Sequence, residues 1–369
     1  MMTHLFPLFI SVSFFIFPLF GGNFPPAVLW QEAFIKKVEE GPAPLWMMDQ
    51  IDRDLKGMTS GQLEKTMLIE KEKGNCGLVL YKIRDSQVTA EVNDPHLKEG
   101  HRYRVMTTVF QQIAALGLLS DCDFIVCLED AVDGHPELPG PIFAFAKDID
   151  SANVILMPDF DTIGDNSKWL VEAGRGNREY PWNKKIEQAF WRGGMTGGIF
   201  TQETFLHFPR SKVIKESLKH PHLIDARFTA VTQCDFPSKV KKKFPKYFGK
   251  SLSIKEHIKY KYQLLIDGNS CAYTRAYWQL FANSVILKQE SKNIQWYYGA
   301  LQPYVHYIPV KGDMSDVASK VRWALSHDAE VRKIAHNANR FASENLRLSD
   351  IYYYIYLLLN EYAESSAAF

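Results

Sequence analysis

The sequence predicts an α/β protein of two domains, and three observations carry that prediction. The chain has 369 residues, enough for two domains of ordinary size. Apolar residues make up 46% and charged residues 23%, a globular balance that excludes collagen-like, coiled-coil and disordered chains. Short β-rich runs alternate with stretches of helical spacing, the pattern of layered sheets and helices. Lys and Arg number 43 against 42 acidic residues, and a formal charge of +1 argues against a protein that coats nucleic acid.

Residues 5–20 are apolar apart from Ser11 and Ser13 and are broken by Pro7 and Pro18. A membrane-spanning helix needs about 20 such residues. The run has the length of a signal-peptide core, yet no Lys or Arg precedes it, and Gly21-Gly22-Asn23 supplies small residues where cleavage would fall. Residues 1–22 therefore read as a hydrophobic segment, either a cleaved export signal or a retained membrane-associating stretch, with a buried N-terminal element as a third reading. The first implies export; the second implies a membrane surface on the cytoplasmic side.

Residues 45–58 have the spacing of an amphipathic helix. Residues 77–92 form two β-rich halves around a hairpin turn at residues 83–87. Residues 102–119 place Val105, Val109, Ile113 and Leu116 on one helical face. The run DFIVCL at 123–128 is continuously apolar, as expected of a strand buried on both faces, and residues 142–146 and 154–157 are further strands. Between residues 166 and 191 the chain turns polar and Gly-rich, and the domain junction is placed there. Beyond it, residues 262–266, 274–283 and 284–288 read as strand, helix and strand, with a loop at 267–273. Residues 305–310 are a third strand. Asp313-Met314-Ser315 is expected to cap a helix over 316–326, and another follows at 329–344. The last helix, 349–363, is rich in Tyr and Leu and needs a partner surface, expected on the first domain.

Three segments carry chemistry. Asp267-Gly268-Asn269-Ser270-Cys271-Ala272 joins a strand to a helix. Small residues let backbone approach a ligand, and the helix start offers free N–H groups with the positive end of the dipole. Arg275, in the first helical turn, could meet a phosphate with forked hydrogen bonds. The segment fits neither a Walker loop nor a dinucleotide fingerprint, and a simple tight turn is the competing reading. The second segment is Phe190-Trp191-Arg192-Gly193-Gly194-Met195-Thr196-Gly197-Gly198, where an Arg in a glycine loop reaches a phosphate unobstructed; a flexible loop is its alternative. Facing each other, the two loops would clamp a diphosphate. The third is Glu129-Asp130, at the end of the DFIVCL strand, where a carboxylate can act as general base or simply cap a turn. Asp133 and Glu137 compete for that role.

Other features carry less. Three D-x-D triplets, at 121–123, 148–150 and 159–161, could each hold a divalent cation, but so short a pattern arises easily by chance. Five cysteines (Cys76, Cys122, Cys127, Cys234, Cys271), odd in number and without a C-x-x-C pair, suggest neither a disulfide framework nor a zinc site. Lysines from Lys239 to Lys261, with Phe244, Tyr247 and Phe248 among them, form a basic run, either a solvated face or a seat for an anionic surface.

Taken in order, DFIVCLED, PIFAFAKD, PWNKKIEQAFWRGGMTGG, LIDARFT, KYKYQLLIDGNSCAYTRAYWQLFANSVILKQES and QWYYGALQPYVHYIPVKGDMSDV resemble glycosyltransferase family 90 from about Cys122 onward. The resemblance implies a GT-B architecture, two Rossmann-like domains facing a central cleft. Residues 23–178 would be the acceptor-side domain, 179–345 the donor-binding domain, and 346–369 a helix returning to the first. It implies inverting, metal-independent transfer from a UDP-sugar, with no cofactor, to a glycan acceptor such as lipopolysaccharide or surface polysaccharide. A protein acceptor, or a non-catalytic binding protein of the same fold, is the alternative. Asp130 falls at the family's catalytic aspartate. Arg192 and Gly193 match its F-R-G motif, and Gly268, Asn269, Ser270, Cys271 and Arg275 match the donor loop. Glu290, after the next strand, is a candidate for the ribose hydroxyls. The chain departs from the family at Met195, where F-R-G-S-R-T has a second Arg, and at Asn269-Ser270-Cys271 and Thr274.

Overall fold

The computed structural model describes residues 27–367 except 57, 59–61, 75–76, 131 and 133–137. The apolar segment at 5–20, Cys76, Asp133 and Glu137 thus lie outside the described residues. Among the described residues twelve strands occur: β1 (Leu78–Arg84), β2 (Gln87–Val92), β3 (Cys122–Cys127), β4 (Ile142–Ala144), β5 (Lys147–Asp148), β6 (Val154–Leu156), β7 (Ile186–Gly194), β8 (Ile224–Ala230), β9 (Tyr260–Leu265), β10 (Val285–Gln289), β11 (Asn293–Ile294) and β12 (Ile308–Val310). They form two five-stranded sheets and one small ladder. The first sheet runs β2-β1-β3-β4-β6, with β3, β4 and β6 parallel and the hairpin β1–β2 antiparallel. The second, β12-β10-β9-β7-β8, is parallel throughout. The ladder β5–β11 ties the two halves of the chain together, pairing Lys147 with Ile294 and Asp148 with Asn293.

Strand composition explains these placements. Along β1 and β3, Val79, Tyr81, Phe124 and Val126 enter one apolar core while Leu78, Leu80, Ile125 and Cys127 enter another. Where a strand is buried on both faces it must be apolar, as this one is from Phe124 to Cys127, which is why DFIVCL was legible. The hairpin turns at Asp85 and Ser86, both at positive φ (46° and 62°), the geometry of a two-residue connection that suits the sheet twist. In the second sheet Trp191, Ala226, Tyr262, Leu264, Val285 and Leu287 face the core beneath it. The opposite face carries Phe190, Arg192, Asp225 and Gln263, and here charged groups gather.

Three expectations are corrected. The polar, Gly-rich stretch after residue 166 is a regular helix, Asn166–Glu179, not irregular chain. Gly176 is there because helix Ile254–Ile258 crosses so closely that a Cβ would lie 2.8–3.0 Å from the Ile258 side chain. Arg192 and Gly193 stand within β7 rather than in a loop; only residues 195–198 turn. The expected cap at 313–315 shifts by one residue. Asp316 is the N-cap of helix Val317–Ser326 without a side-chain bond to it, and its carboxylate accepts the Lys311 N–H instead.

The last helix, Leu348–Ala367, packs on the first sheet as its Tyr-rich face requires. Tyr362 sits edge-on to Phe143, with centroids 5.0 Å apart, and donates to the Asp123 carbonyl. Tyr352 donates to Gln112 and lies 4.0 Å from the Trp30 ring of helix Ala27–Glu40. Among the described residues no helix is long and apolar enough to cross a membrane.

Candidate active site

Three segments distant in sequence meet where β3, β7 and β9 end. Asp130 follows β3. Arg102, second residue of helix His101–Ala114, donates to Asp130 Oδ1 at 2.6 Å and to the Leu128 carbonyl at 2.7 Å, with its guanidinium 4.4 Å over the Phe160 ring. From the far side Asn269 Nδ2 donates to Asp130 Oδ2 at 3.2 Å, and the Tyr273 hydroxyl donates to the Asp130 carbonyl. The carboxylate is therefore held by partners from both halves of the chain. Sequence reasoning placed Asp130 but missed Arg102, whose position 28 residues upstream matches no spacing rule.

The glycine turns touch each other. Asn269 Oδ1 accepts the N–H of Gly197 at 3.1 Å. Gly197 lies at φ +106°, and a Cβ there would stand 3.0 Å from the Gly268 carbonyl oxygen. A Cβ on Gly268 would meet Thr196 Oγ1 at 2.7 Å and Arg210 Nη2 at 2.8 Å, and one on Gly193 would strike the Trp191 indole at 2.5 Å. No side chain fits between these turns, and their backbone stays open to a ligand.

Positive charge collects behind them. Arg275 is in helix Tyr273–Phe281, and its guanidinium turns back to donate to the Arg192 carbonyl at 2.5 Å, leaving Nη1 buried without a partner. Burial pushes its pKa down to about 10. Arg192 lies over Phe190 (4.4 Å) and pairs with Asp225 at 2.8 Å, its side chain 12% exposed. His257, packed edge-on against Phe190, titrates well below the ordinary imidazole range through burial and then the charges of Arg275 and Arg192. Asp267 is pushed up by burial; Ser291 and Asn293 donate to its carboxylate and hold the loop's first residue.

The other candidate positions are more dispersed. Ser270 is buried with its hydroxyl unpartnered. The Cys271 thiol lies in the apolar core, not toward the turns, and burial raises its pKa far above the usual thiol range. Glu290 is exposed one residue beyond β10, its N–H bonded to the Val310 carbonyl. The D-x-D carboxylates are engaged locally. Asp121 and Asp123 face the Asp85 N–H and Arg84, Asp150 pairs with Lys292, and Asp159 caps Thr162 while Asp161 accepts from Thr274. Beside Asp130 an open cavity of about 530 Å³ is lined by Leu97, His101, Arg102, Leu128, Glu129 and Phe160 among others.

The family model described as glycosyl transferase family 90 matches residues 45–367. The chain belongs to this family. Human protein O-glucosyltransferase 3 is 32% identical over 267 residues, covering 68% of this chain and 48% of the relative. Protein O-glucosyltransferase 2 of Danio rerio is 28% identical over 328 residues, covering 85% and 61%. The family 90 chain thus spans about half to three-fifths of the length of these curated relatives. A solved structure of Anabaena HepE in complex with UDP shares 9% identity over 72% of this chain and 77% of its own, with a TM-score of 0.37, too low to bear on function.

Proposed function

We propose that this chain is an inverting glycosyltransferase of GT-B type that moves a sugar from a UDP-sugar to an acceptor hydroxyl without a metal ion. The observation that carries the reading is the meeting of one fixed carboxylate with two glycine turns backed by buried guanidinium groups. The donor's diphosphate would lie against the turns at Gly193–Gly197 and Gly268–Ser270, with Arg275 offsetting the charge that develops on the leaving group. Glu290 would reach the ribose hydroxyls. Asp130, oriented by Arg102 and Asn269, takes the proton of the acceptor hydroxyl as its oxygen attacks the anomeric carbon opposite UDP. One C–O bond forms while the bond to the β-phosphate oxygen breaks, so configuration inverts and no covalent enzyme intermediate is needed.

The cavity beside Asp130 is the acceptor's approach. Its mixed aromatic and charged lining suits a glycan, with lipopolysaccharide or surface polysaccharide as the first reading. A protein hydroxyl is the second, favoured by the names of the curated relatives. UDP-[¹⁴C]glucose supplied with each acceptor class separates them, by which one retains label.

Two outcomes test the donor side. Arg275→Ala is expected to weaken UDP binding by about tenfold or more, since a charge-assisted hydrogen bond contributes about 1.5–3 kcal/mol; an unchanged dissociation constant by calorimetry would mean the donor loop is elsewhere. UDP release in the presence of acceptor is expected to survive excess EDTA. Loss of turnover that Mg²⁺ or Mn²⁺ restores would instead assign one of the D-x-D pairs to a metal.

A further inference from the structure

Arg210, second residue of helix Pro209–Lys219, belongs to no motif in the sequence, yet it sits directly behind both glycine turns. Its Nε donates to the Asp267 carbonyl at 2.8 Å, its Nη1 to the Gly194 carbonyl at 2.8 Å and its Nη2 to the Ile266 carbonyl at 3.4 Å. We propose that Arg210 is a second diphosphate-binding cation, beside Arg275 at the Trp191 indole, and that it supplies the charge that position 195 does not. This rests on the UDP-sugar reading above.

Four observations support it. First, a guanidinium has five N–H groups, and the three carbonyls leave one free on each Nη nitrogen. Second, the route to it is kept open by glycine, because a Cβ on Gly268 would lie 2.8 Å from Nη2. Third, Arg210 and Arg275 stand 5.4 Å and 6.0 Å from the ring centroid of the same fully buried Trp191. Among the described residues neither has a carboxylate partner. Asp267 is near, but its carboxylate is turned to Ser291 (2.5 Å) and Asn293 (3.2 Å). Burial first, and the Arg275 charge second, push Arg210 down to about 9. The nearby Asp267 charge opposes that shift without a direct ion pair. Two cations without a direct carboxylate partner in a low-dielectric site are costly until an anion joins them, and a diphosphate carries the matching charge. Fourth, Met195 is fully buried in the core under the second sheet, with its N–H on Ala230 and its carbonyl taking the Gln233 N–H. Its side chain is committed to packing.

The test compares UDP and uridine affinities of the whole chain by calorimetry. Arg210→Gln keeps two N–H donors for the three loop carbonyls and removes the charge. It is expected to weaken UDP binding about tenfold or more while uridine binding stays within about twofold, and Arg210→Lys, which keeps the charge, is expected to bind UDP clearly more tightly than the Gln variant. If Arg210→Gln binds UDP normally, or loses UDP and uridine by the same factor, the residue only braces the loops and the proposal is overturned. Should the Gln variant not fold, the Lys variant decides alone: UDP affinity no better than that for uridine overturns it. Failure of the unaltered protein to bind UDP would remove the donor reading itself, and this proposal with it.

Discussion

Asp130→Asn is expected to fold normally, bind UDP with its affinity unchanged and lose sugar transfer by at least about 10²-fold, the scale on which a positioned general base acts. The argument rests on what the substitution leaves in place. An amide has nearly the volume of a carboxylate, and its oxygen can still accept from Arg102. What goes is the acceptor at Oδ2, now 3.2 Å from Asn269 Nδ2, and the ability to take a proton. The side chain of Asp130 is 39% exposed, so this single mismatch costs little stability. The groups assigned to UDP lie on other segments, which is why binding and turnover should separate. Titration calorimetry with UDP and a coupled assay of UDP release measure the two independently. Near-normal turnover would take Asp130 out of the base role and turn attention to Glu129 and the neighbouring acids.

The parts of this fold that were legible in the sequence are those where one local rule acts alone. The strand at Cys122–Cys127 is apolar beyond Asp123 because both faces are buried there, and the hairpin at Asp85-Ser86 is marked by polar residues between two β-rich halves. The helix Asn166–Glu179 hid because its composition answers to a neighbour: Gly176 makes room for Ile258, and Asn177 bonds to Phe281 and Asn283 across a helix contact no local pattern encodes. The site divides the same way. Gly193, Gly197, Gly268 and Asp130 sit at strand ends, where a sequence reader looks. Arg102 and Arg210 reach the site from helices whose registers depend on tertiary packing, and a lone Arg near a helix start looks like any other. Arg192 was expected to reach phosphate from a glycine loop. The strand instead aims its guanidinium at Asp225, one strand over, and brings its carbonyl to Arg275.

Asp54→Ala is expected to destabilise the protein by about 3–5 kcal/mol, the largest stability effect anticipated for a single substitution here. Asp54 lies in helix Leu45–Leu55, and its carboxylate meets Lys147 at 2.6 Å with side-chain exposures of 1% and 9%. Its second oxygen accepts the Leu156 N–H at 2.9 Å, while Lys147 also donates to the Val154 carbonyl at 2.8 Å. Truncation strands a buried ammonium and a buried N–H together. Replacing both partners, with Asp54→Leu and Lys147→Met, removes the stranded charge and should recover most of the loss, because an apolar pair of similar volume has no desolvation to offset. Urea denaturation of the two variants measures this, and a loss under about 1 kcal/mol for Asp54→Ala would mean that water or a neighbour already serves Lys147. The consequence should extend to the site. Lys147 pairs with Ile294 across the β5–β11 ladder, and the adjacent Asn293 donates to the Asp267 carboxylate that opens the donor loop. Asp54→Ala should therefore weaken UDP binding as well, under conditions where most of the protein is still folded. Unchanged UDP affinity in a clearly destabilised variant would show that the ladder does not brace that loop.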